Sequence, residues 1–177
     1  KLEGTASAFV LQGLDKQIES YEVEKARYEK TIKTLQRKHA VMRHLDALTG
    51  IGEIGALKIV ARVVDPKRFP DRGKWLAYCG LVMIEAVSGG KSYGWKKPRY
   101  CRSLKSVFKT AALAVIHSQV KNPFKDYYNY LLEDKRLSEQ NARHALARRI
   151  AVVALGVMKS SKPFDPERIS KEKQLAA

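Results

Sequence analysis

The chain has 177 residues, of which 45% are hydrophobic, so we expect one compact domain with an extension and no general disorder. Its 34 Lys and Arg residues exceed its 18 Asp and Glu residues, and the formal net charge is +16. This imbalance favours a nucleic acid as partner, because no segment combines a basic face with the large exposed apolar face of a membrane-surface helix. No apolar stretch approaches the roughly 18 residues of a membrane span, and we expect neither a signal peptide nor a membrane partner.

The cysteine and histidine content gives no indication of a metal site. Cys79 and Cys101 form no CxxC motif, and the four histidines are scattered along the chain. We therefore expect reduced thiols in a cytosolic protein and no metal ligands in this chain.

Residues 1–43 are predicted to form one long helix with an apolar stripe. The stripe positions are three or four residues apart throughout, with one polar interruption at Lys25. They are Leu11, Leu14, Ile18, Tyr21, Lys25, Tyr28, Ile32 and Leu35. Such a stripe needs a partner helix, either in the domain that follows or in a second copy of the chain. We expect a dimerisation arm that forms a coiled coil between subunits.

The segment that follows fits the pattern of a helix-hairpin-helix, in which two short helices flank a Gly-apolar-Gly turn. The matching positions are Leu45, Leu48, Gly50, Ile51, Gly52, Ala56 and Ile59. Gly50 and Gly52 permit positive φ, and the turn points backbone amides outward at the start of the second helix, where they bind phosphate. A purely structural helical hairpin is the alternative.

The rest of the chain predicts further helices and one small β element. We expect a short helix near residues 73–78, a hairpin or irregular loop over residues 81–95, and a helix over residues 100–119. Two more helices are indicated by the caps Asn122, followed by Pro123, and Ser138. The predicted class is mainly α: a long coiled-coil helix, then a helical domain with a helix-hairpin-helix and a small irregular β hairpin. The predicted domains are residues 1–43, residues 44–160 and a flexible charged tail, residues 161–177.

One segment without acidic residues is predicted to bind nucleic acid. Residues 86–125 contain no Asp or Glu, whereas a solvated surface normally mixes both signs of charge. The cations that we expect to contact nucleic acid are Lys91, Lys96, Lys97, Arg99, Arg102, Lys105 and Lys109. Tyr93, Trp95 and Tyr100 alternate with them and could stack on bases, although Trp95 could equally anchor the segment in the core.

Ser88 precedes two glycines within "VSGGK" and is the candidate nucleophile. Attack on a phosphodiester needs room for in-line approach and cations around the phosphate, which the glycines and the basic residues would supply. The sequence shows no general base beyond Glu85. An ordinary Ser-Gly-Gly turn is the alternative.

The order of these motifs resembles the carboxy-terminal domain of the IS110 class of insertion-sequence transposases, which are related to Piv-type DNA invertases. The matching features are "LTGIGEIGA", an Arg-Phe pair before a short helix, "YCGL", "SGGK" about eight residues later, and then "ARHALARRI". The resemblance covers about residues 45–159. The chain departs from many members from Lys96 onward, where it reads "KKPRYCRSLKSVF".

The resemblance implies a DNA transposase or recombinase in which Ser88 forms a covalent protein–DNA intermediate. In the family, an amino-terminal RuvC-like domain carries four acidic ligands for metal ions, with Mg²⁺ expected in the full-length enzyme, and a bridge RNA guides many members. That domain is absent here and the chain begins without Met, so we expect a piece of a larger protein that binds DNA and a guide RNA but does not cleave alone. The implied location is the prokaryotic cytoplasm, at the nucleoid. The alternative is a non-catalytic helix-hairpin-helix module that binds DNA or RNA.

Overall fold

The computed structural model describes residues 2–166 and confirms a mainly helical chain with one small β hairpin. Lys1 and residues 167–177, which include most of the predicted charged tail, lie outside the described residues. The α-helices are α1 (Leu2–Lys38), α2 (Ala40–Asp46), α3 (Gly52–Val63), α4 (Arg72–Tyr78), α5 (Arg102–His117), α6 (Pro123–Glu133) and α7 (Glu139–Ser160). The strands are β1 (Ile84–Ser88) and β2 (Lys91–Lys96), and a 3₁₀ turn covers Pro66–Arg68.

Helix α1 forms a unit by itself, and the chain from His39 onward forms a second unit. Most of the predicted stripe on α1 is exposed, as at Leu14, Ile18 and Tyr21. The helix is shorter than the sequence pattern predicted, because His39 adopts an extended backbone (φ −120°, ψ 100°) and α2 begins after it. Met42 and Leu45 of α2 are buried in the second unit, which explains why this segment continues as a separate helix. No helix among the described residues is long and apolar enough to cross a lipid bilayer.

The core of the second unit forms between α5, α7 and the shorter helices around them. On α5, the side predicted to be apolar is fully buried, at Leu104, Phe108, Ala111 and Val115. Trp75 of α4 is also fully buried, and its indole N–H donates a hydrogen bond of 2.7 Å to the carbonyl of Ala151 on α7. A buried indole N–H without such a partner would cost about 1–3 kcal/mol.

Polar caps fix the ends of several helices. The side chain of Asn122 accepts a hydrogen bond from the backbone N–H of Lys125, and that of Ser138 accepts one from Asn141, as the sequence predicted. Asp71 caps α4 in the same way by accepting from Lys74 at 2.8 Å. These caps set where α6 and α7 begin, and hence which residues of α7 face α5.

The turn between α2 and α3 contains two glycines with positive φ. Gly50 has φ 93° and Gly52 has φ 64°, and Ala56 is fully buried where the two helices meet. A Cβ at Gly50 would lie 2.4 Å from the carbonyl oxygen of Ala111, so the turn is pressed against α5 and has no room for a side chain there. The segment is a helical hairpin whose turn packs against α5.

The strands β1 and β2 form an antiparallel hairpin around Gly89 and Gly90. Both glycines have positive φ, 57° and 76°, which is the signature of the two-residue turn whose twist matches that of the strands. Ser88 pairs with Lys91, and Glu85 pairs with Trp95. Between these pairs, two residues of β2 oppose one of β1, so the hairpin contains a β-bulge.

Candidate nucleic-acid interface

Ser88 is exposed at the last position of β1, immediately before the glycine turn. Its partner across the hairpin is Lys91, and directly paired residues of an antiparallel hairpin project from the same face. Because side chains alternate along a strand, Glu85 lies on the opposite face of β1 from Ser88. The structure thus places a cation beside the candidate nucleophile and directs the one nearby carboxylate away from it.

The aromatic residues of the basic segment differ in their surroundings. Trp95 and Tyr93 are 71% and 70% exposed, so the suggestion that Trp95 anchors the hairpin in the core is wrong. Tyr100 packs directly against Gly80, and the ammonium group of Lys105 lies 4.5 Å from the centre of its ring. Tyr93 and Trp95 are therefore the aromatic side chains whose exposure permits stacking on bases.

The predicted basic residues divide into three groups. Lys91 and Lys96 lie on the exposed hairpin. Lys97, Lys105 and Lys109 line a cleft of about 640 Å³ between the base of the hairpin, α5 and α7.

Arg99 and Arg102 form the third group, as both are exposed before and at the start of α5 and neither lines that cleft. Gly50 and Gly52 lie in the α2–α3 turn and are not among the cleft residues either. The predicted contacts are consequently spread over more than one surface.

Sequence reasoning missed the contribution of α7 to the cleft. Asn141, His144 and Arg148 line it together with the lysines of α5. Their spacing of three and four residues puts them on one face of a helix. This spacing is visible in the sequence and could have predicted that they lie together.

The cationic surroundings of His144 affect its protonation. Partial burial and the positive charges of Lys109, Arg148, Arg143 and Lys105 lower the pKa of His144 from its usual value. The free protein therefore holds this imidazole neutral at neutral pH.

The α2–α3 turn has the features of a weak phosphate site. Gly52 is exposed and begins α3, whose N-terminus has no side-chain cap. Free amides at a helix N-terminus favour anions. Glu53 in the first turn of α3 reduces this attraction, since its carboxylate brings negative charge to the same place.

The described residues offer no cluster of ligands that fits a bound Mg²⁺. Within residues 2–166, no group of three or more His, Cys, Asp and Glu side chains is placed to hold a metal ion. No step of the chemistry below is therefore assigned to a metal in this chain.

A protein-family model matches about half of the chain. Residues 42–129 match the model of the transposase IS116/IS110/IS902 family, whereas no curated protein matches the chain. The matched segment runs from α2 into α6 and includes the turn between α2 and α3, the hairpin with Ser88, and all of α5. The match therefore supports a transposase domain of the IS116/IS110/IS902 family in this chain, and with it a transposase-type function.

Proposed function

We propose that this chain is the DNA-binding and strand-joining part of a transposase, and that Ser88 is its nucleophile. The observation that carries the proposal is the pairing of the exposed Ser88 with Lys91 beside a turn of two glycines. This pairing lies inside the segment that matches the transposase family. The glycines leave the hydroxyl accessible on one side, so a phosphodiester can approach in line.

In the proposed step, the Oγ atom of Ser88 attacks the phosphorus of a DNA phosphodiester. A bond forms between Oγ and phosphorus, one bond between phosphorus and a sugar oxygen breaks, and the DNA hydroxyl that leaves gains a proton while Ser88 loses one. Lys91 stabilises the additional negative charge on the phosphate oxygens in the transition state. Attack by a DNA hydroxyl on the same phosphorus reverses the step and joins a new strand.

The other parts of the proposal concern partners. Lys91, Lys96, Lys97, Arg99, Arg102, Lys105 and Lys109, with the amides of Gly50 and Gly52, contact the backbone of DNA or a guide RNA. The exposed stripe of α1 associates with α1 of a second copy. DNA cleavage requires a RuvC-like domain with its Mg²⁺ in a longer parent protein, which acts at the nucleoid of a prokaryotic cell.

The test uses the full-length parent with guide RNA, Mg²⁺ and labelled DNA that carries the element junction. Reactions are stopped in denaturant, and a covalent protein–DNA adduct is sought by gel and mapped by mass spectrometry. We expect an adduct at Ser88 that is absent from the Ser88→Ala variant. Ser92→Ala is the matched control, because Ser92 is also an exposed serine of the hairpin but pairs with Val87 on the other face.

A second candidate is a non-catalytic helix-hairpin-helix module. It is favoured by the α2–α3 turn, where Gly50 and Gly52 both have positive φ and α3 begins without a side-chain cap. In this case Ser88 is only a turn residue. Ser88→Ala would then leave strand joining by the full-length protein unchanged. If Ser88 is the nucleophile, the same variant should lose strand joining and keep its affinity for DNA.

A further inference from the structure

Two neighbouring cavities of the second unit form one groove between α5 and α7. The larger, of about 640 Å³, extends from the base of the hairpin, and the smaller, of about 220 Å³, continues between the two helices. Lys109 and His144 line both cavities, so they lie where the two meet. We call this pair of cavities the α5–α7 groove.

The polar groups in the walls of the α5–α7 groove are all positive or neutral. Its basic lining residues are Lys97, Lys105, Lys109, Arg143, His144 and Arg148, and no Asp or Glu lines it. A folded protein normally balances such a cluster with carboxylates, since like charges at short range raise the free energy of the fold. Repulsion is therefore left in place here, and an anion entering the groove would relieve it.

The hairpin end of the groove also has an apolar side. Val82, Met83, Pro98 and Leu137 line it together with the cations. Tyr100 belongs to the wall, where it is covered by Gly80 and Lys105. A ligand with a charged backbone and flat apolar parts fits this combination better than a free inorganic anion does.

The apolar side of the groove favours a single strand over a duplex. The bases of a duplex are stacked on one another, whereas those of an unpaired strand can lie against apolar side chains. Lys105 and Lys109 are one helical turn apart, which is a rise of about 6 Å along α5. The two ammonium groups can therefore contact successive phosphates of one strand.

We propose that the α5–α7 groove is a binding site for one unpaired strand of nucleic acid, with its phosphates on Lys109, His144 and Arg148. A nucleotide at the hairpin end lies against Met83 and Leu137. The proposal rests on the proposed function for the class of ligand, but it does not depend on Ser88 as nucleophile. It adds a site to which α7, outside the family match, contributes about a third of the lining residues.

The test measures binding of a fluorescently labelled single-stranded oligonucleotide to the 177-residue chain by anisotropy, over a series of salt concentrations. Lys109→Gln and Arg148→Gln should each weaken binding about tenfold and reduce the slope of log affinity against log salt by about 0.7. Lys121→Gln is the matched control, because Lys121 is an exposed cation of the same acid-free segment that does not line the groove. Lys109→Arg should restore the affinity, and circular dichroism shows whether each variant is folded.

Three results would overturn the proposal. The first is equal loss of affinity in Lys121→Gln and the groove variants, which indicates a diffuse charge effect. The second is that an unlabelled duplex displaces the labelled strand with the same affinity as an unlabelled single strand. The third is unchanged binding in folded Lys109→Gln and Arg148→Gln. Strand binding tests the groove and adduct formation tests the serine chemistry, so a failure of the one and a failure of the other give different patterns.

A pH series supplies an independent readout. Lys105 and Lys109 from α5 and Arg143 and Arg148 from α7 face His144, and a bound phosphate would offset their charge. Binding should then favour the protonated imidazole, and the affinity for the strand should increase as the pH falls from 7.5 to 5.5. This increase should be absent in His144→Asn, and an equal increase in that variant would contradict the role of His144.

Discussion

Ser88 and Lys91 pair across the two-residue turn of the hairpin, so that hydroxyl and ammonium groups leave the same face of the sheet. Neither side chain is held by a hydrogen bond or an ion pair among the described residues, and both are exposed. The pair is therefore free to close around a phosphate from solution. Both side chains can also change rotamer, so the positions of the hydroxyl and the ammonium group depend on the bound phosphate as much as on the protein.

This pairing predicts the effect of removing the cation. With Lys91→Gln in the full-length parent, we expect adduct formation at Ser88 to slow about tenfold to hundredfold, somewhat less than the loss of a buried oxyanion donor. The rate is measured by quenched time courses at saturating DNA. Lys91→Arg keeps the positive charge and should retain most of the rate of adduct formation. A normal rate in Lys91→Gln would mean that Lys91 does not stabilise the transition state.

The two glycines of the α2–α3 turn should differ in their contribution to stability. In Gly50→Ala the new Cβ would lie 2.4 Å from the carbonyl oxygen of Ala111, which is backbone and cannot rotate away. Overpacking and positive φ together should lower the free energy of unfolding by about 3 kcal/mol or more. Urea denaturation of the 177-residue chain measures it.

Gly52 provides the comparison for that experiment. It also has positive φ, 64°, but a Cβ there would meet no atom within 4 Å. Gly52→Ala should therefore lose only about 1–2 kcal/mol, from backbone strain alone. Equal losses in the two variants would mean that the turn is not pressed against α5.

Val64 is a strained residue at the end of α3. Its φ of 59° and ψ of −69° are rare for a β-branched side chain, and the N–H of Asp65 donates to the carbonyl of Val63 at 2.7 Å, which closes a γ-turn. The side chain is 84% exposed, so it contributes almost no packing. We expect Val64→Gly to raise the free energy of unfolding by about 1 kcal/mol, measured by urea denaturation.

Val120 is the control for this substitution. It is also well exposed, but it is not among the described residues with positive φ. Val120→Gly should leave the free energy of unfolding unchanged or lower it slightly, because glycine loses more backbone entropy on folding. If the free energy of unfolding rose in both variants, the cause would be the loss of an exposed valine and not the relief of backbone strain.

Local signals in the sequence were enough to predict much of the fold. Asn122 and Ser138 mark the starts of α6 and α7 because a cap acts within its own turn of helix. Gly89 and Gly90 predict the hairpin because few other residues adopt positive φ at two successive positions. The end of α1 at His39 had no such signal, since neither Gly nor Pro is nearby, and it depends on where α2 packs.

Features that depend on distant parts of the chain were harder to predict. Whether Trp95 is buried depends on which face of the hairpin turns to the core, and its own sequence neighbours do not decide this. His144 and Arg148 look like the polar side of an apolar helix until α5 places Lys105 and Lys109 opposite them. The candidate nucleophile was visible as a motif, while the part of the groove that α7 contributes was visible only in three dimensions.

The stability of the free protein should depend on His144. Because partial burial and four neighbouring cations lower the pKa of His144 in the folded state, the unfolded chain binds a proton more readily. The neutral ring makes its full contribution to the free energy of unfolding above the unfolded-state pKa of about 6.5. This contribution is lost as the pH falls through the lower folded-state pKa. The free energy of unfolding should thus decrease between about pH 7 and pH 5.

The measurement is a series of urea denaturation curves at fixed ionic strength, with His144→Gln as the comparison. Glutamine keeps a polar side chain but does not titrate, so the variant should lose this part of the pH dependence and be relatively more stable at pH 5. In the wild type, added single-stranded oligonucleotide should make the free energy of unfolding fall less steeply with decreasing pH, because a bound phosphate stabilises the protonated ring. Parallel pH profiles for the two proteins would mean that the charges of Lys105, Lys109, Arg143 and Arg148 do not act on His144.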